Sequence, residues 1–315
     1  MVAGANRPAR SETNVGTAYG FIAYLLWGAF PLYFNAIEPA GAWEVICHRV
    51  LWTLLVCVIV LSVRRRLGFI REVLSQPKRL AALTLAGLLV AANWTIYVQA
   101  VVTGHVTEAA LGYFLNPLVT VALGVVVLKE RLRTTQWVAV GIGLLACVYL
   151  AIDYGKPPWI ALSLAVSFAG YGLMKKRIGG SMTALESLSF ETAVLAPIAA
   201  VVLVILTVRG DTTFSGYGAG HSLLLAGSGI VTAIPLLLFA AAARRVPLVT
   251  IGLLQFLTPI LQLICGVALL GETMTAARWV GFGIVWVSLV LLAADSVRAS
   301  TQGRRLARSA AGAAV

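Results

Sequence analysis

Three ionisable side chains lie within six residues of one another in an otherwise apolar stretch: Glu44, His48 and Arg49 of AWEVICHRVLW. On a helix, Glu44 and His48 are one turn apart on the same face, with Arg49 on its flank. An unpaired charge at the centre of a membrane helix costs roughly 2.5–3.5 kcal/mol on insertion scales, so such groups face a cavity or find a partner. Two readings stay open here, a substrate site or an interfacial cluster anchored at the outer headgroups, because Glu44 begins the apolar run. Arg49 is the deepest of the three and the best suited to hold an anionic substrate group.

A second ionisable group, Glu191, stands seven residues inside the run that begins at Ala184, with Ser187 one turn before it. Burial disfavours the charged form of a carboxylate, which suits a group that loads and releases a proton as a site changes sides. The alternative is a packing carboxyl held neutral or paired, with His48 or Arg49 as partner. Asn93, Trp94 and Tyr97 place an amide and two aromatic rings along one side of another run, as the lining of an amphipathic cavity or with Trp94 against lipid. Glu108 at the start of the next run suits the positive end of a helix dipole, or a substrate role. Tyr113, Asn116 and Thr120 follow at helical spacing, and Gln255 and Gln262 flank Thr258 and Pro259. Pro31, Pro117, Pro235 and Pro259 are expected helix breaks. A matched pair of breaks in two halves of a transporter marks a binding site; a proline kink that aids packing is the plainer reading.

These residues are carried by a duplicated frame. Residues 108–153, EAALGYFLNPLVTVALGVVVLKERLRTTQWVAVGIGLLACVYLAID, return at 250–295 with a constant offset of 142 and no gap. The offset superposes Phe114 on Phe256, Pro117 on Pro259, Gly124 on Gly266, Glu130 on Glu272 and Asp153 on Asp295. Each copy is two apolar spans around a short polar loop, a membrane helical hairpin. Glu130 and Glu272 are expected to neutralise or cap those loops.

Of the 315 residues, 60% are hydrophobic and 11% charged, far beyond what a soluble core needs. About 20 apolar residues cross a bilayer as a helix. Ten such runs are present: 16–35, 42–63, 80–102, 106–128, 136–152, 159–174, 184–208, 222–243, 248–270 and 278–294. The alternating short strands of a membrane barrel are absent. The expected fold is therefore an all-α polytopic membrane protein with ten transmembrane helices. It divides into a cytoplasmic tail (1–15), a first five-helix repeat (16–152), a linker (153–158), a second repeat (159–295) and a basic, Ala-rich tail (296–315) expected to be disordered. The outer loop 209–221, rich in glycine, is expected to be mobile.

The net charge of +12 sits in short blocks between spans, which points to a positive-inside bias and not to nucleic acid. With both termini cytoplasmic, 20 of the 24 Lys and Arg residues fall inside; Lys156, Arg209 and Arg278 fall outside and Arg49 within a span. Five spans per repeat is an odd number, so the second repeat inserts upside down. The four cysteines all lie in apolar runs without metal-site spacing, and no metal or cofactor is expected. Gly141, Gly143, Gly281 and Gly283 support either close intramolecular packing or a homodimer.

The chain resembles the RarD branch of the EamA-like drug/metabolite transporter superfamily. The resemblance is carried by AYLLWGAFPLYF (23–34), EVICHRVLW (44–52), EAALGYFLNPL (108–118), ALSLAVSFAGYGLMKK (161–176), GIVTAIPLLLFAAAARRVPL (229–248) and GLLQFLTPILQ (252–262), and covers nearly all of residues 16–295. It implies a ten-helix permease of the bacterial inner membrane, built of two inverted repeats. The first four helices of each would line a central cavity and the fifth would pack outside. Family members are associated with export of drugs or metabolites, and the RarD name with chloramphenicol phenotypes. The chain departs from its relatives at Gln99 and Val102, where Trp and Asn are frequent. A secondary transporter of a small organic solute, with proton coupling through Glu191, is the leading expectation. Gly155 and Lys156 are followed by Pro157, so no phosphate loop is formed, and no HExxH or GxSxG pattern supports an enzyme. A non-transporting membrane scaffold is the alternative.

Overall fold

The computed structural model describes residues 7–129, 132–153, 155, 157–178, 182–243, 245 and 254–312. Among these there is no strand, and helices account for nearly the whole chain. In order they are α1 (Arg7–Gly28), α2 (Phe30–Ala36), α3 (Ala42–Val63), α4 (Phe69–Leu74), α5 (Pro77–Val102), α6 (Val106–Leu128) and α7 (Thr134–Asp153). Then come α8 (Trp159–Ile178), α9 (Ala184–Arg209), α10 (Gly218–Ala243), α11 (Leu257–Ile264) and α12 (Ala276–Gly312), with a π-helical turn, Cys265–Leu269, closing α11. Seven helices are long and apolar enough to cross a membrane, and α1 with α2 makes an eighth if counted as one bent span. The helices α8 and α11 are shorter apolar segments. Glu130 and the first part of the ninth expected span, 248–253, lie outside the described residues.

Three sequence expectations need correction. Of the four prolines, Pro31 and Pro259 each stand in the first turn of a helix that restarts after a break, at Ala29 and at Phe256, and α1 and α2 meet at a 40° bend. Pro117 and Pro235 are not breaks, since both lie inside continuous helices. A mid-helix proline deletes one hydrogen bond, which packed neighbours hold against bending. The basic tail is not irregular either, since α12 runs on to Gly312. Finally, the loop after α9 is tied to α3, since its own Thr213 is buried and donates to Glu44.

Packing follows the repeat. The helix α1 lies on α10 and α11, and, with the roles of the repeats exchanged, α8 lies on α5 and α6. Likewise α3 packs on α9 and α10, α5 on α9, α6 on α11, and the two fifth helices, α7 and α12, on each other. Each repeat thus surrounds its core with helices of the other, so neither half buries its apolar faces alone. Two close approaches are glycine-dependent. A Cβ at Gly229 of α10 would stand 2.6 Å from the Trp52 carbonyl oxygen of α3, and one at Gly87 of α5 would stand 3.2 Å from the Glu191 carbonyl oxygen of α9. These glycines are 142 residues apart (229 − 87), so the offset of the hairpins extends to the helices before them.

Between α7 and α12, Ser288 donates to the Ala139 carbonyl at 2.6 Å, and Arg133 Nε pairs with Asp295 at 2.7 Å. Gly281 is filled by Leu150 and Gly143 by Leu118, which assigns both to packing within the chain; Gly141 and Gly283 meet nothing. The outer faces of α7, α9 and α12 present Leu144, Leu145, Val201, Val204, Val287 and Val290, the apolar surface a bilayer requires.

Candidate functional site

Arg49 is 4% exposed and sits in an aromatic cage where α2, α3 and α5 meet. Its guanidinium carbon lies 4.1 Å from the centre of the Trp94 ring, 5.4 Å from Phe30 and 5.6 Å from Phe34. Its Nε–H donates to Thr232 Oγ1 of α10 at 2.8 Å. Cation–π contacts are worth about 2 kcal/mol each when desolvated, less than a full counter-charge supplies. No ion pair of Arg49 occurs among the described residues. The titratable groups that face it are the phenols of Tyr113, Tyr97 and Tyr33. Nη1 of Arg49 and the hydroxyl of Tyr97 are both buried without a hydrogen-bond partner.

The bend in the first span is what brings the cage rings to Arg49. Pro31 has no N–H, so the Trp27 carbonyl loses its helical donor. Gln262 Nε2 of α11 takes its place at 3.2 Å, and Thr258 Oγ1 donates to the Tyr24 carbonyl at 2.9 Å. The break is thereby stitched to the opposite repeat.

On the other side of the core Glu191 is wholly buried and paired, not with His48 or Arg49 but with Lys175 of α8, at 2.6 Å. Ser187 Oγ donates to the same oxygen at 2.7 Å, and Tyr171 O–H reaches the other at 3.3 Å. Lys175 also donates to Ser187 and keeps 31% of its side chain exposed. A file of rings joins the two ends: Phe34–Tyr97 at 6.0 Å, Tyr97–Tyr113 at 5.6 Å, Tyr113–Phe168 at 6.2 Å and Phe168–Tyr171 at 6.0 Å. Asn93 anchors that file across the repeats. Its amide donates to the Leu164 carbonyl and to Ser167, both at 3.0 Å, and its carbonyl accepts from Tyr113 at 3.3 Å.

The other sequence candidates hold the frame. Both oxygens of Glu44 accept from the outer loop: Thr213 N at 2.7 Å, Thr213 Oγ1 at 2.8 Å and Phe214 N at 3.0 Å. His48 stacks on Phe214 at 4.7 Å and accepts from Trp52 at 3.2 Å. Glu44 and His48 therefore latch that loop and are separate from the Arg49 cage. Glu108 accepts from Ile160 N at 3.2 Å, capping α8, and Glu272 caps α6 through Val106 N and Thr107 N. Asn116 is buried and accepts from Thr120 at 3.4 Å. Gln255 is half-buried ahead of α11; Gln262, two turns on, is the glutamine that reaches α1.

The comparisons with known proteins fall on this same frame. The model of the EamA-like transporter family matches twice, at residues 14–152 and 157–294. The chain is 48% identical to Protein RarD of Streptomyces exfoliatus, over 96% of each chain. The chain belongs to the EamA-like transporter family, in its RarD branch. Other RarD relatives include Protein RarD of Escherichia coli, 35% identical over 91% of this chain and 96% of that one. An uncharacterized transporter of Bacillus subtilis, YojE, is 37% identical over 91% and 96%. A solved crystal structure is similar in fold, with a TM-score of 0.57 at 19% identity, covering 88% of this chain and 96% of that chain. In EamA terms, then, the chain is a polytopic bacterial membrane protein of a transporter family, with a charged and aromatic core between its two family units.

Sequence reasoning missed Thr232, Tyr171 and the two cage phenylalanines, and saw Lys175 only as a flanking charge. The repeat offset carries the signal for Lys175. Tyr33 faces Arg49, and Lys175 pairs with Glu191; both comparisons differ by 142 (175 − 33 and 191 − 49).

Proposed function

We propose that this protein is a secondary transporter that moves a small organic solute across the bacterial inner membrane by alternating access. Two inverted five-helix repeats with ten spans, both termini cytoplasmic, would rock about the core between them. The observation that carries this reading is the ring-lined core spanning both repeats, with Arg49 at one end and the Lys175–Glu191 pair at the other. A scaffold has no need of a buried arginine lacking a counter-charge. The apolar outer faces, the positive-inside count and the names of the relatives support the same reading. One relative is named chloramphenicol-sensitive protein RarD, of Pseudomonas aeruginosa, 28% identical over 90% of this chain, which is in keeping with drug or metabolite cargo.

Glu191 is the proposed proton-coupling group. Protonating it would release Lys175, whose side chain is 31% exposed, to follow solvent as the core opens. Counterflow in proteoliposomes against amino acids, nucleosides, small drugs and polyamines tests this. Wild type should show uptake that responds to an imposed pH gradient, and Glu191→Gln should lose that response while still exchanging solute. Uptake insensitive to both would remove Glu191 from coupling. Folded protein that exchanges nothing across the panel would favour the scaffold.

A further inference from the structure

We propose that the Arg49 cage is a binding site for a small organic carboxylate carried on a flat apolar body, so that the cargo is a monoanion. This rests on the transporter reading for its physiological meaning. The argument itself comes from what the cage leaves unfilled. Arg49 brings one fixed positive charge into a closed apolar core, and the groups facing it are neutral phenols. Glu44 is spent on Thr213 and Phe214, and Glu191 on Lys175. Among the described residues no carboxylate lies within ion-pair distance of the guanidinium.

Two donors are unmet in this part of the core, Arg49 Nη1 and the O–H of Tyr97, a phenol that faces Arg49. Neither group is more than 4% exposed, so water is not a ready substitute. A carboxylate supplies two acceptor oxygens and the missing charge together; an amide or an alcohol supplies only acceptors, and an ammonium repels Arg49. Thr232 holds Nε, which fixes the plane of the guanidinium and leaves Nη1 for the ligand. Trp94, Phe30 and Phe34 stand round the guanidinium, so the surroundings of a bound carboxylate are apolar and aromatic. A dianion would exceed the single charge present, which sets the class at one carboxylate.

Trp94, stacked on Arg49, is a built-in reporter. Purified full-length protein in detergent would be titrated with benzoate and phenylacetate, against benzamide and benzylamine of matched shape, by tryptophan fluorescence. A Trp94→Phe variant identifies the signal, and isothermal calorimetry provides a readout independent of it. The expected result is saturable binding of the two carboxylates and at least tenfold weaker binding of the amide and amine. Arg49→Gln should weaken carboxylate binding about tenfold to a hundredfold, Arg49→Lys less, and Tyr97→Phe several-fold. Equal binding of benzamide, carboxylate binding unchanged in folded Arg49→Gln, or no binding of either carboxylate would overturn the proposal. Counterflow with radiolabelled benzoate separates the two readings. Binding without exchange would sink the transporter and keep the site, whereas exchange of neutral solutes with no carboxylate preference would do the reverse.

Discussion

Arg49 and Glu191 occupy the same position in the two repeats: each is the eighth residue of its helix, α3 or α9, and they are 142 residues apart. The repeat thus places opposite charges at equivalent positions of two corresponding helices. Glu191 has found a lysine within the chain and Arg49 has found only aromatic rings. The frame repeats and the chemistry does not, in keeping with the proposal of one cargo site and one coupling site.

The Lys175–Glu191 pair should be coupled energetically. A double-mutant cycle of Glu191→Gln and Lys175→Met, read by thermal unfolding in detergent, should give an interaction of about 1–3 kcal/mol. The lysine's partial exposure keeps it below the figure for fully buried pairs. Additive losses would show that the contact contributes nothing.

The two helix contacts at glycine should differ in tolerance. Gly229→Ala drives a methyl against the Trp52 backbone, which cannot yield, and should destabilise by about 1–3 kcal/mol or prevent folding. Gly87→Ala meets the Glu191 carbonyl at 3.2 Å and should cost clearly less. Thermal unfolding of the two single variants compares them directly, and equal stability would refute the asymmetry.

Much of this arrangement was legible in the sequence. Apolar runs set the helices, and the offset of 142 set the repeat, because hydrophobic length and duplication are local properties of the chain. Arg49 and Glu191 stood out since charges are rare in such runs. Their partners did not. Thr232 lies 183 residues from Arg49, and Phe30 reaches it only because the chain bends beside Pro31. Glu44 and Glu108 were ambiguous for a related reason: a carboxylate at the end of a span can meet substrate or bond to backbone N–H groups, and their partners Thr213 and Ile160 lie far away in the sequence. Pro117 and Pro235 misled because a proline signals a lost hydrogen bond, while neighbouring helices determine whether the axis breaks.

The outer latch is open to test. Glu44→Ala removes three hydrogen bonds to Thr213 and Phe214, and charged acceptors contribute about 1.5–3 kcal/mol each. Amide hydrogen exchange over residues 211–217 should accelerate tenfold or more, while the core of α3 keeps its protection. Unchanged exchange in that loop would mean that Glu44 does not hold it.

The caps should act across the repeats. Glu272→Ala strips the acceptor from the start of α6, and Glu108→Ala strips it from the start of α8, at about 0.5–2 kcal/mol each. Because Glu108 follows directly on Thr107 in the first turn of α6, the two sites are neighbours, and the double variant should depart from the sum of the single losses in thermal unfolding; strict additivity would show that the caps act independently.

Alternating access itself is tested most directly at Tyr113, half-way along the ring file. Tyr113→Cys, with Cys47, Cys57, Cys147 and Cys265 replaced by alanine or serine, would be labelled by a membrane-impermeant maleimide in right-side-out and in inside-out vesicles. An alternating carrier gives labelling from both sides, and shifting the conformation should raise one rate as it lowers the other. Labelling from one side alone under every condition, in protein that remains folded, would contradict it.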